Sequence, residues 1–260
     1  VREARTRLID QAEAEVEAGV AWFEGHAGYD DGPTQRVWNL ANKGQVFLDL
    51  LKNPIVDYFM RDLLGDYYTV SNYLSVIAGP GNEPQQLHTD QTGVQPQITD
   101  FPVGCNILWF LDDVTDENGG TRVFPGSHEV DVGPDNIFVS DGTVAASAPA
   151  GSAMVFETRL WHGTGMNRTD KNRHVLITLF YRAWMRPQIN PWTSIHPDVA
   201  AKFDEDLKTL FLVDLSGLNR STSGGSLYDD RQQMTRARAE TAARALFFKW
   251  IQMLQPRQWW

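Results

Sequence analysis

Four runs rich in β-branched and aromatic residues dominate the middle of the chain: YYTVSNYLSVIAG (67–79), CNILWFLDDV (105–114), SAMVFE (152–157) and HVLITLFYRAW (174–184). Such runs read as strands. Gly, Pro, Asn and Asp punctuate the stretches between them, and no helical pattern of the length a parallel crossover needs lies among them. The chain is therefore expected to build an antiparallel sandwich or barrel rather than a parallel α/β sheet.

The flanks are helical. Leu8, Ala12, Val16 and Val20 recur at steps of four among charged residues, which predicts a helix with one apolar face that ends by Gly25. A second helix is signalled by Asn53 as N-cap, Pro54 at the first helical position, the apolar set Ile55, Phe59 and Leu63, and Gly65 just past the end. After Pro187 the pattern loosens. The Gly- and Ser-rich stretch LSGLNRSTSGGSLYDD (215–230) reads as a loop able to act as a lid, and residues 229–254 as a last amphipathic helix carrying Met234, Ala237, Leu246, Phe247, Trp250 and Leu254. Beginning at Val1 rather than a methionine, the sequence reads as trimmed.

At 260 residues the length suits one domain: helical support over 1–66, a strand core over 67–186, and a variable loop with a C-terminal helix over 187–260. A formal net charge of −10 argues against nucleic acid or an anionic membrane as partner and points to a small-molecule ligand. Cys105 is the single cysteine, so no internal disulfide forms, and no window resembles a signal peptide or a membrane span. A soluble, cytoplasmic protein is expected. The mixture of Trp, Phe and Arg on the C-terminal helix makes a homodimer through that helix conceivable.

The segment PQQLHTDQTG (84–93) sets His88 and Asp90 two positions apart, so on extended backbone both project from one face. Downstream, LWHGTGMNRTDKNR supplies His162 after the strand SAMVFE, with enough intervening chain to bring it back beside His88. Two imidazoles and one carboxylate on one face of a six-coordinate ion leave three positions open, the pattern of non-haem Fe(II) oxygenases rather than of closed zinc sites. Spacing alone is weak, because His196 and Asp198 repeat it around Pro197 with no histidine left downstream. His26, His128 and His174 make no better ligand set. Arg173, at the start of the last strand, could grip the far carboxylate of a dicarboxylate whose near end chelates the metal, namely 2-oxoglutarate. Arg168 and Arg182 compete for that role.

These residues, together with ENGGTRVFPGSH (117–128), resemble the phytanoyl-CoA dioxygenase family of Fe(II)/2-oxoglutarate oxygenases. The resemblance is close over about 70–185 and fades after Pro187. It implies a mainly β protein with flanking helices around a double-stranded β-helix, the jelly-roll or cupin-like core. It implies His88, Asp90 and His162 as iron ligands and Arg173 as partner of the 2-oxoglutarate C5 carboxylate. It further suggests Gln85 and Thr121 as cosubstrate contacts and Asn72 as another polar contact. The implied cofactors are Fe(II), 2-oxoglutarate and O₂, with ascorbate as a supporting reductant. Halogenases of the family lack the ligand carboxylate, so the intact Asp90 disfavours halogenation. The expected reaction is oxidation of an unactivated C–H bond in a small, mainly hydrophobic natural product, by hydroxylation or by desaturation, epoxidation or cyclisation. Substrate walls are expected from 91–102, Trp161, Trp184 and the 215–230 segment. Two alternatives stand beside this: a hydroxylase of acyl-CoA or carrier-bound acyl groups, although the only basic cluster is Arg231, Arg236, Arg238, Arg244 and Lys249 on the C-terminal helix, and a jelly-roll protein that binds ligands without turnover.

Overall fold

A computed structural model describes residues 1–24, 32–91, 94, 96–129, 133–138 and 141–212. The expected 215–230 lid, the 229–254 helix and its proposed dimer face, and His26 lie outside the described residues. Among those described, no helix is long and apolar enough to cross a membrane.

Among the described residues, nine strands form two antiparallel sheets. The larger sheet contains β1 (Trp22–Glu24), β2 (Thr34–Val37), β3 (Tyr68–Ala78), β4 (Gly104–Phe110), β7 (Ala153–Glu157) and β9 (Arg173–Arg182), in the order β1-β2-β3-β9-β4-β7. The smaller contains β5 (Arg122–Val123), β6 (Val144–Ala145) and β8 (His162–Gly163), in the order β6-β5-β8. All pairings are antiparallel, as the missing crossovers require. The backbone of the four sequence runs is now β3, β4, β7 and β9.

Strand periodicity assigns the two faces of the large sheet. Leu176 and Phe180 of β9, with Cys105 and Ile107 of β4, enter the core shared with the helices. Val175 and Ile177, with Leu108, Phe110, Met154 and Phe156, face the other way and pack against Val123 of the small sheet and Ala146 just past β6. The two sheets thus close on each other like the halves of a jelly roll. Buried on the helical side, the Cys105 thiol has its pKa pushed up.

Helix α1 (Arg2–Glu17) buries Leu8 and Ala12 as expected, joined by Ala4 and Glu15 rather than by Val16 and Val20. Val16 and Val20 are half and more exposed, at 50% and 69%. The helix stops before Val20, and Gly19, at φ +68°, turns the chain there instead of Gly25. Helix α2 (Gln45–Leu51) was not foreseen; it buries Phe47, Leu48 and Leu51. Helix α3 (Pro54–Leu64) starts and stops as expected, with the Asn53 side chain accepting from the Ile55 N–H at 3.1 Å. Its buried face is Ile55, Val56, Met60 and Leu64; Phe59 and Leu63 are only partly covered. After Pro187 the loosened pattern resolves into short helices α4 (Pro191–Ser194), α5 (Pro197–Ala200) and α6 (Glu205–Leu210).

Candidate metal centre

His88 pairs with His162 at the edge of the small sheet. These residues form an isolated antiparallel bridge, each backbone N–H donating to the other's carbonyl at 2.9 Å. Paired residues of an antiparallel bridge project to the same side, so the imidazoles lie together, ring centroids 4.5 Å apart. His162 also pairs with Val123 of β5, which places both imidazoles on the inner face. The Phe156 ring abuts His162 edge-on at 4.6 Å.

Asp90 completes the group. Its Oδ1 lies 3.6 Å from His88 Nε2 and its Oδ2 lies 3.6 Å from His162 Nε2. One ligand atom from each of the three residues falls within 4.8 Å of the others, and no second such group of three occurs among the described residues. The protonation pattern tells what could sit between them. His88 Nδ1 and His162 Nδ1 each lie 2.9 Å from a carbonyl oxygen, of Gln86 and Leu160 respectively. A carbonyl only accepts, so in the neutral rings Nδ1 carries the proton and Nε2 is a bare lone pair. With the rings in that form, two Nε2 lone pairs face a carboxylate across 3.6 Å. Burial lowers the His162 pKa, with Asp90 pulling the other way, so the neutral ring is favoured. Converging lone pairs of this kind fit a divalent cation, and an N,N,O set with a carboxylate suits Fe(II).

Several side chains not foreseen from sequence hold Asp90. Asn106, 1% exposed on β4, donates from Nδ2 to Asp90 Oδ2 at 2.5 Å. The Tyr181 hydroxyl of β9 donates to the Asp90 carbonyl at 3.0 Å. Gln188 donates to that hydroxyl at 3.4 Å and accepts from Asn72 Nδ2 at 3.2 Å. Gly104, paired with Tyr181, makes room for its ring: a Cβ there would run into the ring and into the Thr158 methyl. The one available signal was a lone polar residue inside an apolar strand run, which Asn106 is.

The segment 117–128 acts mainly through the backbone. Ser127 Oγ accepts from the Trp161 N–H at 3.0 Å, and the Phe124 N–H donates to the Trp161 carbonyl at 2.8 Å, which fixes the residue just before His162. Gly119, at φ +80°, presents its carbonyl to Arg173 Nη2 at 2.8 Å. A Cβ on Gly119 would lie 2.7 Å from the Gly165 carbonyl, so the two glycines let these loops touch.

The remaining expected residues fall as follows. Arg173 is 2% exposed at the start of β9, and its Nε is buried with no partner among the described residues. Burial lowers its pKa to about 10, opposed by Asp112, so it stays cationic at neutral pH. Its two competitors are engaged elsewhere. Arg182 donates to the Pro102, Leu64 and Leu63 carbonyls and so caps α3, and Arg168 binds Asp116. Thr121 is buried two residues before Val123, on the same inward side. Gln85 is exposed, its Oε1 3.4 Å from both the backbone N–H and the hydroxyl of Thr164. Asn72 commits its amide nitrogen to Gln188 and leaves Oδ1 buried without a partner. Of the expected substrate walls, Trp161 is half-buried, Trp184 is 62% exposed, and residues 92, 93 and 95 lie outside the described residues. His174 binds Asp112, and His196 caps α5 by accepting from the Asp198 N–H.

Residues 1–175 match the family model described as phytanoyl-CoA dioxygenase. Dioxygenase af480 of Aspergillus fumigatus is 33% identical over 217 residues, which cover 81% of this chain and 69% of the relative. Dioxygenase FUM3 of Gibberella moniliformis is 30% identical over 169 residues, covering 60% of this chain but only 55% of its own length. Among solved structures, the non-haem α-ketoglutarate-dependent carbocyclase SnoK from nogalamycin biosynthesis aligns with a TM-score of 0.57 at 21% identity, over 73% of this chain and 79% of its own. The epimerase SnoN, solved with Fe³⁺, α-ketoglutarate and nogalamycin RO, aligns at 0.54 and 17% identity over 74% and 80%. At those identities the structural likeness establishes the fold, a jelly-roll core.

Proposed function

The chain belongs to the phytanoyl-CoA dioxygenase family, and from that premise we propose an Fe(II)/2-oxoglutarate-dependent dioxygenase of natural-product biosynthesis that oxidises an unactivated C–H bond of a small, mainly hydrophobic substrate. The observation that carries this reading is the convergence of two imidazole Nε2 atoms and a carboxylate, with a buried arginine in the same fold. The named relatives are dioxygenases, and SnoK and SnoN act in the biosynthesis of a natural product, which supports the biosynthetic setting.

His88, Asp90 and His162 would hold the iron. When bound, Fe(II) with 2-oxoglutarate and O₂ supplies the oxidation: one oxygen atom enters the substrate C–H bond in a hydroxylation, the other enters succinate, and CO₂ leaves. The protein's own part is binding, orientation and dryness. Arg173 offers a buried guanidinium whose Nε still lacks an acceptor, which fits the distal carboxylate of 2-oxoglutarate. Thr121 and Gln85 are assigned as further cosubstrate contacts, Thr121 from the inward face of the small sheet and Gln85 from beside Thr164. Asn72 is assigned as a polar contact through its unpartnered Oδ1. Phe156, edge-on against His162 and part of the core cluster with Leu108, Phe110, Met154 and Val175, makes that side of the metal ligands apolar. That lining is what favours a hydrophobic substrate.

The test is an anaerobic titration with Fe(II) and 2-oxoglutarate, followed by the visible charge-transfer band. Wild type should develop the band and the His162→Ala protein should not. Iron bound without any band at saturating 2-oxoglutarate would overturn the cosubstrate assignment. Succinate release with candidate substrates then distinguishes turnover from mere binding.

A further inference from the structure

Asp90 is the one ligand able to take a metal through either one or two atoms, and the structure treats its two oxygens differently. Oδ2 receives the Asn106 amide at 2.5 Å, from a side chain 1% exposed in the middle of β4. Each oxygen also faces one ligand nitrogen at 3.6 Å, Oδ1 that of His88 and Oδ2 that of His162, so the Asn106 bond alone sets the two apart. The backbone under Asn106 is fixed, because β4 is paired on both sides, Asn106 with Phe156 of β7 and with Leu179 of β9, and its side chain is buried. The backbone of Asp90 is fixed as well. Its N–H donates to the Thr158 carbonyl at 3.0 Å, and its carbonyl accepts from the Tyr181 hydroxyl at 3.0 Å. An acid anchored at its backbone and at one oxygen has lost free rotation about χ2, and its Oδ2 already commits a lone pair to Asn106.

Resting on the iron-site reading above, we propose that Asn106 is a positioning residue that keeps Asp90 a one-atom ligand, with Oδ1 turned to the metal and Oδ2 withheld. The consequence is a count. A six-coordinate ion held by two imidazoles and one carboxylate oxygen keeps three free positions, whereas a carboxylate that chelates through both oxygens leaves two. A cosubstrate that chelates takes two, so the third position, the one oxygen chemistry needs, exists only while Oδ2 is held back. Asn106 touches neither metal nor substrate in this account. It acts through Asp90, as carboxylate-orienting partners of metal sites do.

The experiment uses Mn(II) as a paramagnetic probe and counts metal-bound waters from the broadening of its magnetic-resonance lines in ¹⁷O-enriched water. Asn106→Leu removes the donor at similar size, and Asn106→Val removes it with a smaller, β-branched side chain suited to a strand. Thermal melts establish which variants are folded. Wild type should carry three waters on Mn(II), and one after 2-oxoglutarate is added. The folded Asn106 variants should carry two, and none after 2-oxoglutarate. Three waters in a folded variant overturns this inference alone. Failure of wild type to bind Mn(II), with His162→Ala indistinguishable from it, takes down the metal-site reading and this inference with it.

Discussion

Replacing Asp112 by asparagine probes the joint that sets Arg173 in place. Asp112 follows β4, and its carboxylate takes three donors: Arg5 Nε at 2.6 Å, the His174 N–H at 2.8 Å and His174 Nδ1 at 2.6 Å. It ties α1 to the first residues of β9, next to Arg173. Burial would raise its pKa, but the bonds from His174 and Arg5 outweigh that and lower it from 3.8 to about 2. At about 1.4 kcal/mol per pH unit, ionised Asp112 contributes about 2 kcal/mol to folding; with its side chain 21% exposed, solvent screening takes little of that. The sign follows from the depressed value. The contribution is complete above the unfolded pKa of 3.8 and is lost as pH falls through about 2. Asp112→Asn should therefore unfold in urea about 2 kcal/mol more easily than wild type at neutral pH, and melt roughly 4–8 °C lower. The gap should close progressively below about pH 4. A gap of the same size at about pH 2.5 as at neutral pH would refute the electrostatic account, and no gap at neutral pH would refute the joint itself.

Arg173→Lys keeps the charge but not the planar fork, so half-saturation by 2-oxoglutarate in the charge-transfer titration should need roughly 10- to 100-fold more cosubstrate; a change under about threefold would argue that another group grips the carboxylate. Gly104→Ala pushes a methyl into the Tyr181 ring and the Thr158 methyl, and should cost roughly 1–3 kcal/mol in urea unfolding; an unaltered midpoint would mean that the ring has room to move. Asn53→Ala removes the bond to the Ile55 N–H and should cost about 1 kcal/mol, measured in the same way, with no loss expected if α3 is held by packing alone.

What could be read beforehand follows physical scale. The long strands were legible because β3, β4 and β9 each run seven residues or more with β-branched and aromatic side chains. Strands β5, β6 and β8 have two residues each, too short for any periodicity, and exist only because neighbouring loops pair them. Helix α3 announced itself through Asn53 and Pro54, whereas α2 follows Gly44 with no side-chain cap. The starts of α4 and α6 did carry signals, since Asn190 and Asp204 accept from the Trp192 and Leu207 N–H groups, and the residues after Pro187 were more ordered than their composition suggested. The repeat of His-x-Asp at His196 is a helix start: His196 occupies the cap, and Pro197 the first turn. His88, Asp90 and His162 could be picked out because each is a ligand type in an extended or strand-end setting. Asn106 stood out only as a lone polar residue in an apolar run; that it and Tyr181 reach the same aspartate depends on the register of β4 against β9, which one strand's sequence does not encode.

The mutual hydrogen bonds of His88 and His162 have a kinetic side. Both amide protons are engaged across the same two-residue bridge at 2.9 Å, so neither can be replaced by deuterium until the bridge opens. Any opening that exposes one amide also draws apart the rings beside it. The exchange rates of those two amides should therefore rise and fall together, and their common value clocks the lifetime of the assembled imidazole pair.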